Sequence, residues 1–132
     1  MKNILAKKLY KKISAGGIEN ENPFDIFKKI NYELLRSMKI VAEKIKDNKV
    51  DDTRQKNFSR ALIIIYTIQT NLNFDKDEQT SLDLFRFYEY CRTKLINGMS
   101  YLSYKDIDKS VVSLDKMFDF KYFQEGAVDA IR

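Results

Sequence analysis

Leu72–Leu95 reads LNFDKDEQTSLDLFRFYEYCRTKL: one amphipathic run closes, an acidic turn intervenes, and a strongly apolar run begins. Leu72 and Phe74 end the first run. Asp75, Lys76, Asp77 and Glu78 are too charged to be buried, and Thr80 or Ser81 can cap the next helix by accepting its free N–H groups. Beyond the turn, Leu82, Phe85, Tyr88, Cys91 or Arg92, and Leu95 recur at steps of three and four, the spacing of one helix face. Leu84, Phe87 and Tyr90 widen the stripe toward an adjacent face. The stretch predicts a helical hairpin whose second arm carries more apolar surface than one seam needs.

Outward from the hairpin, the same period recurs. A second helix is expected over Asp52–Asn73, capped by Asp51, Asp52 or Thr53, with Phe58, Ala61, Leu62, Ile65, Ile68 or Gln69, and Leu72 inward. Ala61–Tyr66 alone would pass for a buried strand, but it lies inside a long helical pattern free of Gly and Pro. Consecutive Ile63, Ile64 and Ile65 cannot all face one seam, so some of Ile63, Ile64 and Tyr66 must meet another surface. The first bundle helix starts at Pro23, whose missing N–H costs nothing there, and runs to about Asp47 through Phe27, Ile30, Leu34, Met38, Val41 and Ile45. The third is expected over Glu78–Ser103, continuing inward through Ile96, Met99 and Leu102, with Gly98 allowing a close approach. A fourth begins near Lys105, capped by Asp106 or Asp108, and buries Ile107, Val111, Leu114 and Phe118, with Phe120, Tyr122 and Phe123 closing it. Gln124-Glu125-Gly126 then breaks the pattern, and residues 127–132 either extend the helix or fray.

Short loops force neighbouring helices to reverse, so the fold class is all-α: an antiparallel, up-down-up-down four-helix bundle with an N-terminal arm. Residues 1–22 form the arm and its linker, and residues 23–132 form the bundle. Ala15-Gly16-Gly17 and Glu19–Pro23 separate the two. The arm is basic and amphipathic, with Leu5, Leu9 and Ile13 four apart and Tyr10 beside them. It can cover an apolar groove, lie on a membrane or nucleic acid, or fray.

Charge narrows the function. The net +5 is concentrated in Lys2, Lys7, Lys8, Lys11 and Lys12, which leaves 19 basic against 19 acidic residues over 13–132. A phosphate-binding domain needs a basic face on its folded body, and only the arm offers one. No apolar run approaches a membrane span, and Ile4-Leu5-Ala6 is too short for the core of a signal peptide. One Cys permits no internal disulfide. A cytoplasmic protein is expected.

No catalytic equipment is evident. The chain has no His, which excludes Ser-His and Cys-His catalysis, His-based metal sites and helical ribonucleases with an Arg…His motif. Gly16-Gly17 lacks the Gly-Lys-Ser/Thr and preceding strand of a phosphate loop. Cys91 falls on the apolar stripe, where a thiol is a small core residue. Asp75, Asp77 and Glu78 form a solvated turn rather than a Ca²⁺ site. No enzyme activity, cofactor or metal is expected.

Leu72-x-Phe74-Asp75-Lys76, followed by a turn and Leu84-x-x-x-Tyr88-x-Tyr90-x-x-x-x-Leu95, resembles the flagellar export chaperone family, FliS. Pro23, Ile26-Phe27, Ile30 and Leu34-Leu35-Arg36 resemble the Ser-Pro-x-x-Leu…Ile-Arg start of that family's first helix. The likeness runs from Pro23 to Phe123. Where the family has Gly-Gly-Glu-Ile-Ala after the turn, this chain has Asp77–Ser81, and the family's late Trp is missing. The resemblance implies a chaperone that binds the C-terminal region of flagellin and keeps it unpolymerised before export. Other flagellar export or regulatory proteins are further implied partners, and nucleic acid is not. It also implies an N-terminal segment lying over the client surface, with Tyr10 and Ile13 as anchors. The apolar surplus supplies Ile63, Ile64, Phe87, Tyr88, Tyr90 and Tyr101 as candidate flagellin contacts, each of which could equally complete the core. The alternatives are a co-chaperone or adaptor bundle of similar fold and a small basic RNA-binding protein.

Overall fold

The computed structural model describes residues 23–120, and the arm and the segment beyond Phe120 lie outside it. Four helices follow in order: α1 Pro23–Lys46, α2 Asp52–Thr70, α3 Glu78–Ser100 and α4 Tyr104–Phe118. Each packs on its neighbour in sequence, and α4 returns to α1. α1 and α3 also touch across the bundle, whereas α2 and α4 do not. α1 is therefore the central helix, and its buried residues cover most of its circumference. The core consists mainly of Ile30, Leu34, Leu35, Met38, Val41 and Ile45 from α1, Ile64, Ile65 and Ile68 from α2, Tyr88 and Leu95 from α3, and Ile107 and Leu114 from α4.

The first three helices begin where expected and most end early, for local reasons. Asp51 caps α2, accepting from the Arg54 N–H at 2.9 Å while Lys44 Nζ donates to it at 2.8 Å. Both contacts favour its charged form, so its pKa is lowered, the Lys44 hydrogen bond contributing most. Asn48, at φ 56°, turns the chain between α1 and α2 in the left-handed region that Asn tolerates. α2 stops at Thr70 rather than Asn73. The Asn71 side chain donates to the Thr67 carbonyl at 2.7 Å and its backbone N–H to the Ile68 carbonyl at 3.1 Å, so the last turn tightens.

Asp77, not Thr80 or Ser81, caps α3. Its carboxylate accepts the Thr80 N–H at 3.1 Å and the Thr80 hydroxyl at 2.7 Å, which lowers its pKa. Ser81 is turned back instead, donating to the Asn73 carbonyl at 3.0 Å and tying the acidic turn down. α3 ends at Ser100 because Leu102 adopts φ 53° and the Ser103 N–H reaches the Gly98 carbonyl at 2.8 Å. Leu102 consequently points to solvent and not inward. α4 begins at Tyr104, behind Ser103, which makes no side-chain cap hydrogen bond. Asp106 sits inside the first turn, where its charge favours the helix dipole. Asp108 lies further in and exposed, so neither Asp is the cap.

Two contacts fix how α3 meets its partners. Tyr88 is fully buried and its hydroxyl donates to Asn31 Oδ1 at 2.5 Å, while Asn31 Nδ2 donates to the Phe27 carbonyl at 2.9 Å. A Cβ at Gly98 would run into the Ile107 side chain and lie 2.9 Å from the Ser103 carbonyl oxygen, so Gly is required where α4 crosses α3.

Candidate functional site

The buried line of α3 runs Ser81, Tyr88, Cys91, Leu95, Gly98, with Leu84 and Phe87 partly buried against the core. Phe85, expected inward, stands one position round from this line and is partly exposed. On α2, Ile64 and Ile65 fill the core. Ile63 and Tyr66, three residues apart and so on one face, are 56% and 64% exposed.

The six candidates within the described residues divide by position. Ile63, Tyr90 and Tyr101 are exposed. Phe87 is half-buried and meets Tyr88 edge to face, with ring centroids 5.3 Å apart. Ile64 and Tyr88 are core residues with no exposed surface, so they shape the surface from beneath and do not belong to it. Tyr10 and Ile13 lie outside the described residues. Tyr66, Phe74 and Phe85 join the exposed set. Tyr66 belongs to the α2 surplus expected from the run Ile63–Tyr66, whereas counting from Leu82 places Phe85 in the seam and misses it.

The exposed apolar side chains wrap the α2–α3 half. Phe74 and Phe85 lie together, with ring centroids 6.5 Å apart. Tyr90 and Tyr101, eleven residues and three turns apart, share the opposite flank of α3, with Lys94 over the Tyr90 ring at 5.8 Å. α2 and α3 engage each other least of the four adjacent pairs. A polar strut crosses their seam: Gln69 Nε2 donates to the Phe85 carbonyl and to Glu89 Oε1, both at 3.2 Å, and Arg92 Nε donates to Glu89 Oε1 at 3.0 Å. The hydrogen bond from Arg92, then that from Gln69, lowers the Glu89 pKa, so the strut stays ionised at neutral pH.

This surface offers shape and apolar contact. Burial pushes the Cys91 thiol up to about 12, which leaves it protonated and unreactive at neutral pH. Among the described residues no group of three His, Cys, Asp or Glu could hold a metal ion, and no helix is long and apolar enough to cross a membrane.

The family described as Flagellar protein FliS matches residues 6–120, taking in all four helices and part of the arm. No curated protein and no solved structure matches the chain.

Proposed function

The chain belongs to the FliS family of flagellar export chaperones, and on that premise we propose that it binds the C-terminal region of flagellin in the cytoplasm, holding it unpolymerised and competent for export. One observation supports this reading above the others: Ile63 and Tyr66 stay in solvent on a helix whose core side is already complete. A client segment that is disordered until bound spends about 2–5 kcal/mol on ordering, so it needs a long contact and not one pocket. The spread of Ile63, Tyr66, Phe85, Tyr90 and Tyr101 around two helices suits such a contact. Residues 1–14 then serve as a strip over the same surface through Tyr10 and Ile13.

The test is calorimetric titration of the full chain with a flagellin C-terminal peptide at low and high salt. Binding through apolar surface persists in high salt, and Ile63→Ser with Tyr66→Ser weakens it about tenfold or more while helicity is kept. Unchanged affinity in that double variant removes the α2 face. No binding by the parent chain removes flagellin as client and leaves the adaptor reading. Binding of RNA that falls steeply with salt, through Lys2, Lys7, Lys8, Lys11 and Lys12, favours the third alternative. Deleting residues 1–14 should leave the bundle helical and change the affinity; unaltered binding by the shortened chain removes the strip.

A further inference from the structure

Two turns of the same kind lie at one end of the bundle. After α1 the Lys49 N–H reaches back to the Lys44 carbonyl at 2.8 Å, and after α3 the Ser103 N–H reaches back to the Gly98 carbonyl at 2.8 Å. Each turn needs one residue in the left-handed region: Asn48 at φ 56° in the first and Leu102 at φ 53° in the second. Asn tolerates that region, whereas a bulky side chain there is an outlier whose strain the rest of the fold must offset. Leu102 offsets little of it by packing, since it is 60% exposed. A side chain adverse to its own turn and little used by the core points to a contact outside the chain.

The antiparallel order brings the two turns to the same end, and Lys46 Nζ over the Tyr104 ring at 5.7 Å ties them together. Val50 and Tyr101, 81% and 78% exposed, are the most exposed large hydrophobic residues among those described, and they stand at this end with Leu102. The described chain starts and finishes at the opposite end, where Phe27 meets Phe118. Charge selects the occupant. Residues 44–52 and 101–106 hold Lys44, Lys46, Lys49 and Lys105 against Asp47, Asp51, Asp52 and Asp106, so the end is balanced. A balanced end offers little to an anionic membrane or to nucleic acid, which call for a positive excess. It suits a copy of itself, because a two-fold axis sets each patch against its own image, where any net charge would repel.

We propose that two copies of this chain pair end to end about a two-fold axis through Val50, Tyr101 and Leu102, leaving the α2–α3 face of each copy open. Four helices, each about 10 Å across, present an end face of roughly 400 Å² per copy, which is small for a stable dimer. The pair is therefore weak and reversible and fills at high protein concentration. Tyr101 also borders the flank of α3, so Val50 and Leu102 are the residues that identify the surface.

Sedimentation velocity of the full chain from about 10 μM to about 1 mM tests this. In the parent chain the weight-average mass should climb toward that of two copies. Val50→Ser with Leu102→Gly should weaken pairing about tenfold or more. Leu102→Gly alone should not lower the urea unfolding midpoint, because glycine relieves the turn. Ile63→Ser with Tyr66→Ser should leave pairing unchanged. A parent chain that stays monomeric up to about 1 mM overturns the proposal. So does pairing that survives Val50→Ser with Leu102→Gly, or pairing lost instead in the Ile63→Ser, Tyr66→Ser chain, which would place it on the α2–α3 face. A lowered midpoint in Leu102→Gly would show that the side chain serves the fold, and overturns it as well.

Discussion

The α1–α4 half and the α2–α3 half are built from similar amounts of apolar residue arranged differently. On α1 and α4 the apolar residues segregate to one side; apart from Pro23 and Phe24 in its first turn, the exposed positions of α1 are held by Arg36, Lys39, Glu43 and Lys46. α4 leaves Val112 and Met117 outside, but five residues apart they share no face. On α2 and α3 the apolar residues are spread around the helix, so burying one side leaves Ile63, Tyr66, Phe85 and Tyr90 in solvent. The first half hides most of its apolar surface, and the second leaves more of it in solvent. On the proposed function, the difference separates residues that build the bundle from residues that would meet the client.

That contrast can be broken at its strongest point first. Leu34→Ala empties a fully buried site on α1 and should cost about 2–5 kcal/mol of unfolding free energy in urea titration. A loss below that range would mean that α1 is not the central helix. Gly98→Ala, despite alanine's better helix propensity, should cost about 1–3 kcal/mol because the added Cβ meets Ile107 and the Ser103 carbonyl. Combining it with Ile107→Ala, which removes both clashing side-chain carbons, should cost less than the two single losses added together, and strict additivity would show that the two sites do not touch.

Smaller effects sharpen the line between the halves. Tyr88→Phe leaves Asn31 Oδ1 without its buried donor and should cost about 1–3 kcal/mol with helicity unchanged. Asp77 and Asp51 have lowered folded pKa values, so each contributes stability that is complete above the ordinary carboxylate range. That contribution is lost as pH falls through the lowered value. Asp77→Asn keeps an acceptor for the Thr80 N–H but should flatten the acid limb of a stability–pH profile, and an unchanged limb would assign it elsewhere. Last, Ile63→Ser and Tyr66→Ser should each change the unfolding free energy by no more than about 0.5 kcal/mol, as exposed positions do. A large destabilisation would place both side chains in the core after all.

Much of the fold was legible because period and punctuation agreed. Pro23, Asp51 and the acidic turn at Asp75–Glu78 set three helix starts, and the steps through Ile30, Leu34, Met38, Val41 and Ile45 define the α1 seam. The helix ends were less legible, since they depend on tertiary and local competition: the Asn71 amide seizing a carbonyl, or Leu102 accepting a backbone conformation that Gly normally takes. The surplus on α2 could be foreseen from three consecutive isoleucines, but not which of them would face outward. Ile64 proved to be core because the seam passes through Ala61, Ile64, Ile65 and Ile68. Tyr88 was equally ambiguous, and only its hydrogen bond to Asn31, 57 positions away, settled its direction.

That one bond also constrains how α3 can rotate. A bundle with greasy flanks could lower its free energy by rolling the helix about its axis to hide them, as loosely packed designs do when they become molten. Rolling α3 would withdraw the Tyr88 hydroxyl from Asn31 and leave both polar groups stranded in hydrocarbon, which opposes the motion. The pin thus keeps Phe85 and Tyr90 in water between encounters, at the standing hazard of self-association.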